Sequence, residues 1–321
     1  MASKSNTTIG LDIDTHCIRA AKVTARRLGK SVQYVVDRVD ELNGAFVKDE
    51  SIVEGLRKMH NIVSPSVNDR VVTCLAGKQV YAAQVQHRKL PESEMKNALR
   101  FEIRKNLPFE SGGSTIEYQY LEGAKTVSEP QIMVTAVSNI LLDRHLRLFQ
   151  KAGFKPDIVD ILPLAVANSF WATNFASKPA DVNFVAHIGP EMTTVIIDGD
   201  GAPFYHRTIY FTASELFGAN KDAAMSERER DRRIGGLAEE LTRSMTYYES
   251  NFRTANLSEM FLMGPYCDTA LIPELTKRTG LKAKSMDLLK SLDPKRDTTP
   301  GLFDLVLSLA MRTDKPLTRA G

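Results

Sequence analysis

The chain has 321 residues, of which 43% are hydrophobic and 25% charged, and its formal net charge is +3. This length favours two domains over one, and the composition is that of a globular protein with substantial cores. Because the 42 basic and 39 acidic residues are mixed along the chain, no extended positive field is expected, which argues against a nucleic-acid partner.

The cysteines and the apolar segments bear on the cellular compartment. Cys17, Cys74 and Cys267 lie far apart in sequence and form no metal-binding or disulfide motif, so a reducing cytoplasm is expected. The first residues, MASKSNTT, lack the apolar core of a secretory signal, and the most apolar stretch, 158–175, is interrupted by polar residues and a proline. The sequence therefore predicts no direct membrane insertion.

The first elements in chain order are three strands and a helix. Residues 8–14 and 17–23 have the alternation of two strands joined by a tight turn. Residues 32–39 follow as a third strand, and apolar side chains at helical spacing then mark a helix around 52–59. The predicted order is βββα.

Residues 71–155 differ in character and predict an inserted small α+β domain. The segment begins with the strand-like VVTCLAG and YAAQVQH and continues into a helix on which Met95, Leu99 and Ile103 share one face. Two further strands and a second helix complete it. The predicted order is close to ββαββα.

The βββα order returns in the second half of the chain. When residue 12 is aligned with residue 187, IGLDIDTHCIRAAKV matches FVAHIGPEMTTVIID strand for strand, and a third strand and a helix follow at 203–211 and 237–252. The helix is expected to face a core with one apolar stripe, formed by Leu237, Leu241, Met245, Tyr248 and Phe252. The charged run before that helix, 225–233, has the mixed signs of a solvated surface segment. The repeat predicts a duplication with these limits: lobe one at 1–70 and 156–182, the inserted domain at 71–155, lobe two at 183–300, and a closing helix and tail at 301–321.

Several segments resemble the PilM family, the actin-like cytoplasmic component of type IV pilus assembly. LPESEMKNALRFEIRKNLPFE is similar to the family's inserted-domain helix with its terminal Pro-Phe pair. VTAVSNILLDRHLRLFQKAGFKPDIVDILPLAVANSF and LFDLVLSLAMR resemble later segments of the family in the same order. The resemblance implies a two-lobed actin-like fold of the α/β class, a duplicated ribonuclease H-like fold, with a small α+β domain inserted in lobe one.

The resemblance also implies a nucleotide site between the lobes. Families of this fold bind ATP with Mg²⁺ through two hairpin loops, whose backbone amides reach the phosphates, and through a third glycine-rich turn that accommodates adenosine. The matching positions are Asp12, Asp14 and Thr15 in the first hairpin, His187, Gly189 and Thr193 in the second, and Gly264 in the third turn.

All three loops depart from the family pattern. Asp14 stands where the first hairpin should have a glycine, so a second carboxylate meets the phosphate, and His187 stands where the second hairpin should have an aspartate. Pro190 removes a backbone donor, and Pro265 fixes the third turn. We therefore expect a weakened or lost nucleotide site, weak or absent ATPase activity, no catalytic residue, no metal and no required cofactor.

Two further readings of the first hairpin concern its carboxylates. Asp14 is as well suited to an Asx turn as to contact with a ligand, because aspartate side chains often accept hydrogen bonds from turn backbone. Asp12 and Asp14 alternate along a strand and are expected to point to opposite faces.

The resemblance further implies a protein partner. PilM-type proteins engage the N-terminal cytoplasmic peptide of a membrane protein, PilN, and act with other pilus assembly components, which implies a cytoplasmic location, peripheral to the inner membrane. The expected peptide site is the groove between lobe one and the inserted domain. Its candidate wall residues are Leu90, Phe101, Arg104 and Phe109, although Phe101 and Phe109 are equally expected as packing residues.

Four functions are compatible with these features. The main hypothesis is a structural adaptor, and the second is an ATP-dependent conformational switch of the same assembly. A sugar-kinase-like enzyme is disfavoured by the missing aspartate of the second hairpin, and an FtsA-like filament protein by the missing amphipathic helix. A type II secretion component resembling GspL shares the adaptor logic but normally continues into a transmembrane segment. Homo-oligomer formation is left open.

Overall fold

Two five-stranded sheets with the same strand order form the two lobes of the molecule. A computed structural model describes residues 6–28, 31–121, 130–173, 182–199, 202–212, 216, 226–252, 257–267 and 270–312. In lobe one the strands lie in the order β3 (Ser31–Asn43), β2 (Cys17–Leu28), β1 (Thr7–Ile13), β4 (Arg70–Leu75) and β8 (Ile158–Ile161). In lobe two the order is β11 (Ala202–Ile209), β10 (Thr193–Gly199), β9 (Val182–Ile188), β12 (Leu257–Met263) and β13 (Lys282–Ser285).

The predicted duplication is confirmed by the strand pairing of both lobes. Aligning residue 12 with residue 187 carries the bounds of β1 onto those of β9. Each of these central strands pairs antiparallel with the next strand of its hairpin and parallel with a strand from further along the chain, β4 in lobe one and β12 in lobe two. The two hairpin turns therefore occupy equivalent positions in their lobes.

Helices cover both faces of the lobe-one sheet. α1 (Asp49–Val63) and α3 (Asn139–Lys151) pack on one face, where Ile9 and Leu11 of β1 are buried. Gly10 lies between these two residues, and a Cβ added at Gly10 would come within 2.0 Å of the Val306 carbonyl oxygen on α8 (Asp304–Ala310). Because Gly10 has no side chain, the closing helix α8 can lie directly on β1. The tail at 313–321 lies outside the described residues.

The most apolar stretch of the sequence lies between the lobes. Its residues 158–173 form β8 and α4 (Leu162–Thr173), which packs with α8 in a core that extends to Val185 and Ile196 of lobe two. In the part of the chain that the structure describes, no helix is both long enough and apolar enough to cross a membrane.

A long helix covers the lobe-two sheet. α5 (Glu227–Asn251) buries the predicted apolar stripe of Leu237, Leu241, Met245 and Tyr248, and α6 (Leu271–Thr279) packs beside it. The stripe has the three-and-four spacing of one helical face, and its side chains meet the strands of lobe two.

The helix α5 begins earlier than the sequence analysis predicted. The hydroxyl oxygen of Ser226 accepts a hydrogen bond of 3.2 Å from the Glu229 amide and caps the helix. Within the helix, Arg232 and Arg233 pair with the Glu229 carboxylate at 2.8 and 2.7 Å. The described part of the charged run at 225–233 is therefore the start of α5 and does not precede it.

The inserted domain is a three-stranded sheet covered by one helix. Its strands lie in the order β5 (Val80–Gln86), β7 (Gln131–Ser138) and β6 (Ser114–Tyr120), and α2 (Glu92–Ile103) buries Met95, Leu99 and Ile103 against them. β4 pairs with β1, and α3 packs on the lobe-one sheet. The predicted limits at 71 and 155 and the order ββαββα therefore include elements of lobe one, because strand propensity does not reveal which sheet a strand joins.

The segment that follows lobe two covers the outer edge of the lobe-one sheet. α7 (Leu288–Leu292) contacts β3. Beyond it, Nη2 of Arg296 donates hydrogen bonds to the carbonyl oxygens of Val36 and Asp37 on β3, at 3.2 and 3.1 Å. Two carbonyl oxygens of β3 are thus paired with a side chain.

The outer edge of the lobe-two sheet lies beside β5 of the inserted domain. The Ala82 amide on β5 donates to Nε2 of His206 on β11 at 3.1 Å, and the Phe204 amide on β11 donates to Oε1 of Gln84 on β5 at 3.0 Å. We call this pair of contacts the β5–β11 seam. It attaches the inserted domain to lobe two, although the domain is inserted in the sequence of lobe one.

Candidate functional site

A cleft of about 380 Å³ lies between the turns of the two hairpins. Lobe one lines it with the first turn and with side chains of α1 and α3, and lobe two lines it with the second turn and Pro265. Five of the residues predicted for nucleotide binding are brought together here: Asp12, Asp14, Thr15, His187 and Gly189. The other two, Thr193 and Gly264, are not among the described residues that line the cleft.

The first hairpin turns immediately after β1. The Asp14 amide donates to the Cys17 carbonyl oxygen at 2.8 Å, which closes a tight turn with Thr15 and His16 at its tip. Oδ1 of Asp14 accepts hydrogen bonds from the His16 amide at 3.0 Å and from the Thr15 hydroxyl at 3.2 Å. Asp14 therefore forms the Asx turn that was one of its two predicted roles.

Arg19 lies at the base of the cleft, and the sequence analysis did not single it out. It faces Asp12 across the first hairpin, its Nε donates to Oε1 of Glu41 at 2.9 Å, and its Nη1 lies 3.7 Å from Oδ2 of Asp14. Arg19 is only 6% exposed. The signal for it was present in the sequence, because a tight turn at residues 15 and 16 places residue 19 opposite residue 12.

Asp12 and Asp14 both line the cleft. β1 ends at Ile13 and Asp14 already belongs to the turn, so the strand alternation behind the predicted opposite faces does not extend to Asp14. Burial raises the pKa of Asp12 to about 6, while Arg19 opposes the shift and the neighbouring Asp14 adds to it. The cleft thus holds two aspartates near the Arg19 guanidinium, which also pairs with Glu41.

His187 is buried at the end of β9 and is 5% exposed. Burial, followed by the positive charge of Arg19, lowers the pKa of His187 to about 4, so the ring is neutral at neutral pH. Its Nε2 has no hydrogen-bond partner among the described residues and lies against the third turn, where a Cβ added at Gly264 would be 3.2 Å away. The position therefore adds no charge to the cleft.

The second hairpin turn requires glycine for steric reasons. The Gly189 amide donates to the Met192 carbonyl oxygen at 2.9 Å, and a Cβ added at Gly189 would lie 2.9 Å from that same oxygen. Thr193 follows in β10, and its hydroxyl donates to the Phe211 carbonyl oxygen at 2.9 Å. The Thr193 hydroxyl thus joins β10 to the residues that follow β11.

The third turn forms as the sequence predicted. Gly264 follows β12 with a φ of 102°, and a Cβ there would lie 2.7 Å from the Ile188 carbonyl oxygen. Tyr266 packs partly against the lobe-two core. Burial raises the pKa of the Tyr266 phenol to about 12, and the charge of Asp14 adds to the shift. The third turn therefore brings an aromatic side chain within electrostatic reach of the first hairpin.

A protein-family model described as type IV pilus assembly protein PilM matches residues 10–244. The chain belongs to this family. Among solved structures it is similar to a chain of a PilM-PilN type IV pilus biogenesis complex, with a TM-score of 0.78 and 19% identity over 98% of this chain and 100% of the other.

More distant structural relatives confirm the architecture of this PilM-type chain. The ethanolamine utilization protein EutJ from Carboxydothermus hydrogenoformans has a TM-score of 0.52 and 12% identity, over 97% of this chain and 90% of its own. A Bacteroides thetaiotaomicron protein with an actin-like ATPase fold has a TM-score of 0.51 and 12% identity, over 97% of both chains. The fold is the predicted two-lobed actin-like fold. A comparison with curated protein sequences found no significant match.

The four residues predicted to bind a PilN-type peptide fall into two pairs. Leu90 and Phe109 are partly buried against the core of the inserted domain. Phe101 is 71% exposed on α2, and the exposed Arg104 guanidinium lies 5.1 Å from the centre of its ring. Of these four predicted residues, Phe101 and Arg104 are therefore the exposed pair.

The chemistry available in the cleft is mainly internal pairing. Among the described residues, no group of three or more His, Cys, Asp or Glu side chains is arranged to hold a metal ion. The two donors of the first turn are engaged by Asp14, and the Arg19 charge is shared between Asp14 and Glu41. In this arrangement a carboxylate already holds the hydrogen-bond donors that a phosphate would use.

Proposed function

We propose that this PilM-type chain is a cytoplasmic adaptor in type IV pilus assembly. In this role it binds the N-terminal cytoplasmic peptide of a PilN-like membrane protein, which holds it peripherally at the inner membrane beside other assembly components. The observation that carries the proposal is the similarity to a chain of a PilM-PilN complex over 98% of this chain. Family membership over residues 10–244 supports the same assembly.

The adaptor role as proposed needs neither catalysis nor a bound cofactor. A phosphoryl-transfer site of this kind needs a group that activates or positions the nucleophile near the γ-phosphate. The second hairpin offers a neutral, buried His187 in place of a carboxylate. The first hairpin offers Asp14, whose charge opposes an approaching phosphate. Both features support an adaptor without ATPase activity.

The peptide is proposed to bind in the groove between lobe one and the inserted domain. Phe101 and Arg104 on α2 provide an exposed aromatic ring and a guanidinium, which suit an apolar peptide with a polar backbone. Leu90 and Phe109, which are partly buried against the core of the same domain, would take part with their exposed portions.

A titration of the purified chain with the N-terminal peptide of the PilN-type protein from the same organism tests the proposal. We expect micromolar or tighter binding by calorimetry, and a loss of at least about tenfold in affinity for the double variant Phe101→Ala with Arg104→Ala, since aromatic and arginine side chains dominate interface energies. Tyr247→Ala is the matched control, because Tyr247 is also an exposed aromatic residue but lies on α5 of lobe two. Unchanged peptide affinity in the double variant would show that the peptide does not bind at α2.

The competing function is an ATP-dependent switch. The cleft between the hairpins and the buried Arg19 at its base are the features that favour it. Titration with Mg-ATP separates the two functions. Micromolar binding of Mg-ATP, together with peptide affinity that depends on it, would establish the switch and contradict the cofactor-free adaptor.

A further inference from the structure

The first hairpin turn presents a set of groups that normally bind an oxyanion. The His16 amide and the Thr15 hydroxyl both point at Oδ1 of Asp14, and Nη1 of Arg19 lies 3.7 Å from its Oδ2. Turn amides, a hydroxyl and a guanidinium are the donors that proteins combine around phosphate groups. Here a carboxylate from the same chain lies among them.

The Asp14 side chain is enclosed at this position. It is only 4% exposed, and its Oδ2 has no hydrogen-bond partner among the described residues although it lines the cleft. Oδ1 accepts two hydrogen bonds, so one oxygen satisfies the turn while the other carries charge toward Arg19. A carboxylate and a phosphate present similar oxygen atoms to such donors, which is why one can replace the other.

We infer that Asp14 is an internal anion that occupies a latent oxyanion site in the first hairpin. The inference deepens the proposed function and rests on it in one respect, namely that the cleft works without a bound nucleotide. The site would otherwise take a phosphate or pyrophosphate group. Asp14 excludes such a group twice, by engaging the donors of the turn and by placing a negative charge beside the entering anion.

Arg19 remains a usable cation when Asp14 is removed. Its Nε is held by Glu41 at 2.9 Å, so the guanidinium keeps its position through a contact that does not involve Asp14. Nη1 would then face the vacated space together with the His16 amide and the Thr15 hydroxyl. The variant should therefore have an empty oxyanion site at the same place.

Binding of inorganic pyrophosphate, measured by calorimetry without Mg²⁺ or nucleotide, tests this inference. Asp14→Gly is expected to bind pyrophosphate on the order of a hundredfold more tightly than the unmodified chain, since the substitution removes a like charge and at the same time frees two hydrogen-bond donors. Asp14→Ala removes the same carboxylate and serves if the glycine variant does not fold. Adding Arg19→Met to either variant should abolish the gain.

Asp14→Asn is the matched control. It removes the charge but keeps an oxygen that can accept from the His16 amide, so its gain should be clearly smaller than that of Asp14→Gly. Equal gains in the asparagine and glycine variants would overturn the occupied-site inference, because loss of charge alone would explain them. A folded Asp14→Gly variant with no gain would also overturn it.

The proposed function fails on a different measurement. It is contradicted if the unmodified chain does not bind the PilN-type peptide, whatever pyrophosphate does to the Asp14 variants. The opposite outcome is also distinguishable. If the unmodified chain binds the peptide but neither Asp14→Gly nor Asp14→Ala gains affinity for pyrophosphate, the adaptor proposal stands and the internal-anion inference is wrong.

Discussion

Asp304 is a buried carboxyl group that links the closing helix to the segment before it. It is 1% exposed, its Oδ1 accepts from the Leu288 amide at 2.9 Å, and its Oδ2 has no hydrogen-bond partner among the described residues. Burial raises the pKa of Asp304 to about 8, while the Leu288 amide opposes the shift and the charge of Asp287 adds to it. The folded protein therefore keeps this group protonated at neutral pH.

Asp304→Asn is expected to stabilise the protein increasingly as pH rises. Between the ordinary pKa of 3.8 and the folded value of about 8, the unfolded chain has lost the proton that the folded protein retains. Stability must then fall as pH rises through this window, by about 1.4 kcal/mol per pH unit from this group. Asparagine keeps an acceptor for the Leu288 amide but cannot ionise, so it removes this loss.

Urea denaturation of both proteins across that pH window measures the effect as the difference in free energy of unfolding. Asp297→Asn is the control, because Asp297 is exposed and lies in the same segment. The free energy of unfolding of Asp297→Asn should change with pH in the same way as that of the unmodified chain. The same pH dependence for Asp304→Asn as well would mean that Asp304 ionises alike in the folded and unfolded states.

At the scale of single residues, the sequence predicted local hydrogen bonds better than long-range side-chain contacts. The Asx turn of Asp14 followed from a local preference, since its partners are the next two residues. The unfavourable surroundings of Asp304 come from the packing of α8 against other elements, which no local pattern encodes. Asp304 could therefore be recognised only in the folded chain.

At the scale of elements, the close contact of β1 with α8 depends on one glycine. A Cβ at Gly10 would meet the Val306 carbonyl oxygen at 2.0 Å and the Ala310 amide nitrogen at 2.8 Å. Both are backbone atoms of a packed helix, so a side-chain rotation cannot relieve the clash. The closing helix would have to move away from the central strand of lobe one.

Gly10→Ala is expected to lower the free energy of unfolding by about 3 kcal/mol or more, as overpacking against backbone does. Thermal and urea denaturation measure the loss. Gly112→Ala is the matched control, because a Cβ there meets nothing within 4 Å, and it should change stability by less than about 0.5 kcal/mol. Equal stability of the two variants would show that α8 adjusts freely on β1.

The start of α5 shows how much of an element the sequence contains. Its apolar stripe was predicted from spacing and is confirmed, whereas its first turns were assigned to a surface segment because they are highly charged. The missed signal was the pair Ser226 and Glu229, which has the spacing of a capping box. The start of a helix can thus be predicted from its capping residues even where the segment is highly charged.

At the scale of the whole molecule, the β5–β11 seam decides how firmly the inserted domain is held. Ala82 and Phe204, whose amides donate in the seam, are both buried. Burial lowers the pKa of His206 to about 4, which keeps its Nε2 available as an acceptor at neutral pH. The inserted domain is thereby attached to lobe two by two hydrogen bonds in which a side chain accepts from a backbone amide.

Gln84→Ala is expected to loosen the inserted domain at one point of the seam. The Phe204 amide would lose its acceptor, at a cost of about 1–3 kcal/mol for a buried unpaired donor. Amide hydrogen exchange should then be faster at Phe204, and His206→Ala should produce the same effect at Ala82. Gln79→Ala, an exposed glutamine just before β5, is the control. Unchanged exchange at Phe204 in Gln84→Ala would mean that the seam does not hold the domain.

The sequence predicted only part of how the elements assemble into the whole molecule. The duplication was predictable because the two hairpins repeat in order and spacing. The limits of the inserted domain were not, since β4 joins lobe one through parallel pairing with β1, and such pairing is a long-range contact with no local signature. The sheet that β4 joins is determined by long-range packing in the folded protein.

The covered outer edges of β3 and β11 have a consequence for behaviour at high protein concentration. An uncovered edge strand is a template on which a strand of another chain can add, and this is a common start of aggregation. Here a foreign strand would have to displace Arg296 from β3, or lift the whole inserted domain from β11. At these positions the outer edges of the two lobe sheets are thus protected against the addition of a foreign strand.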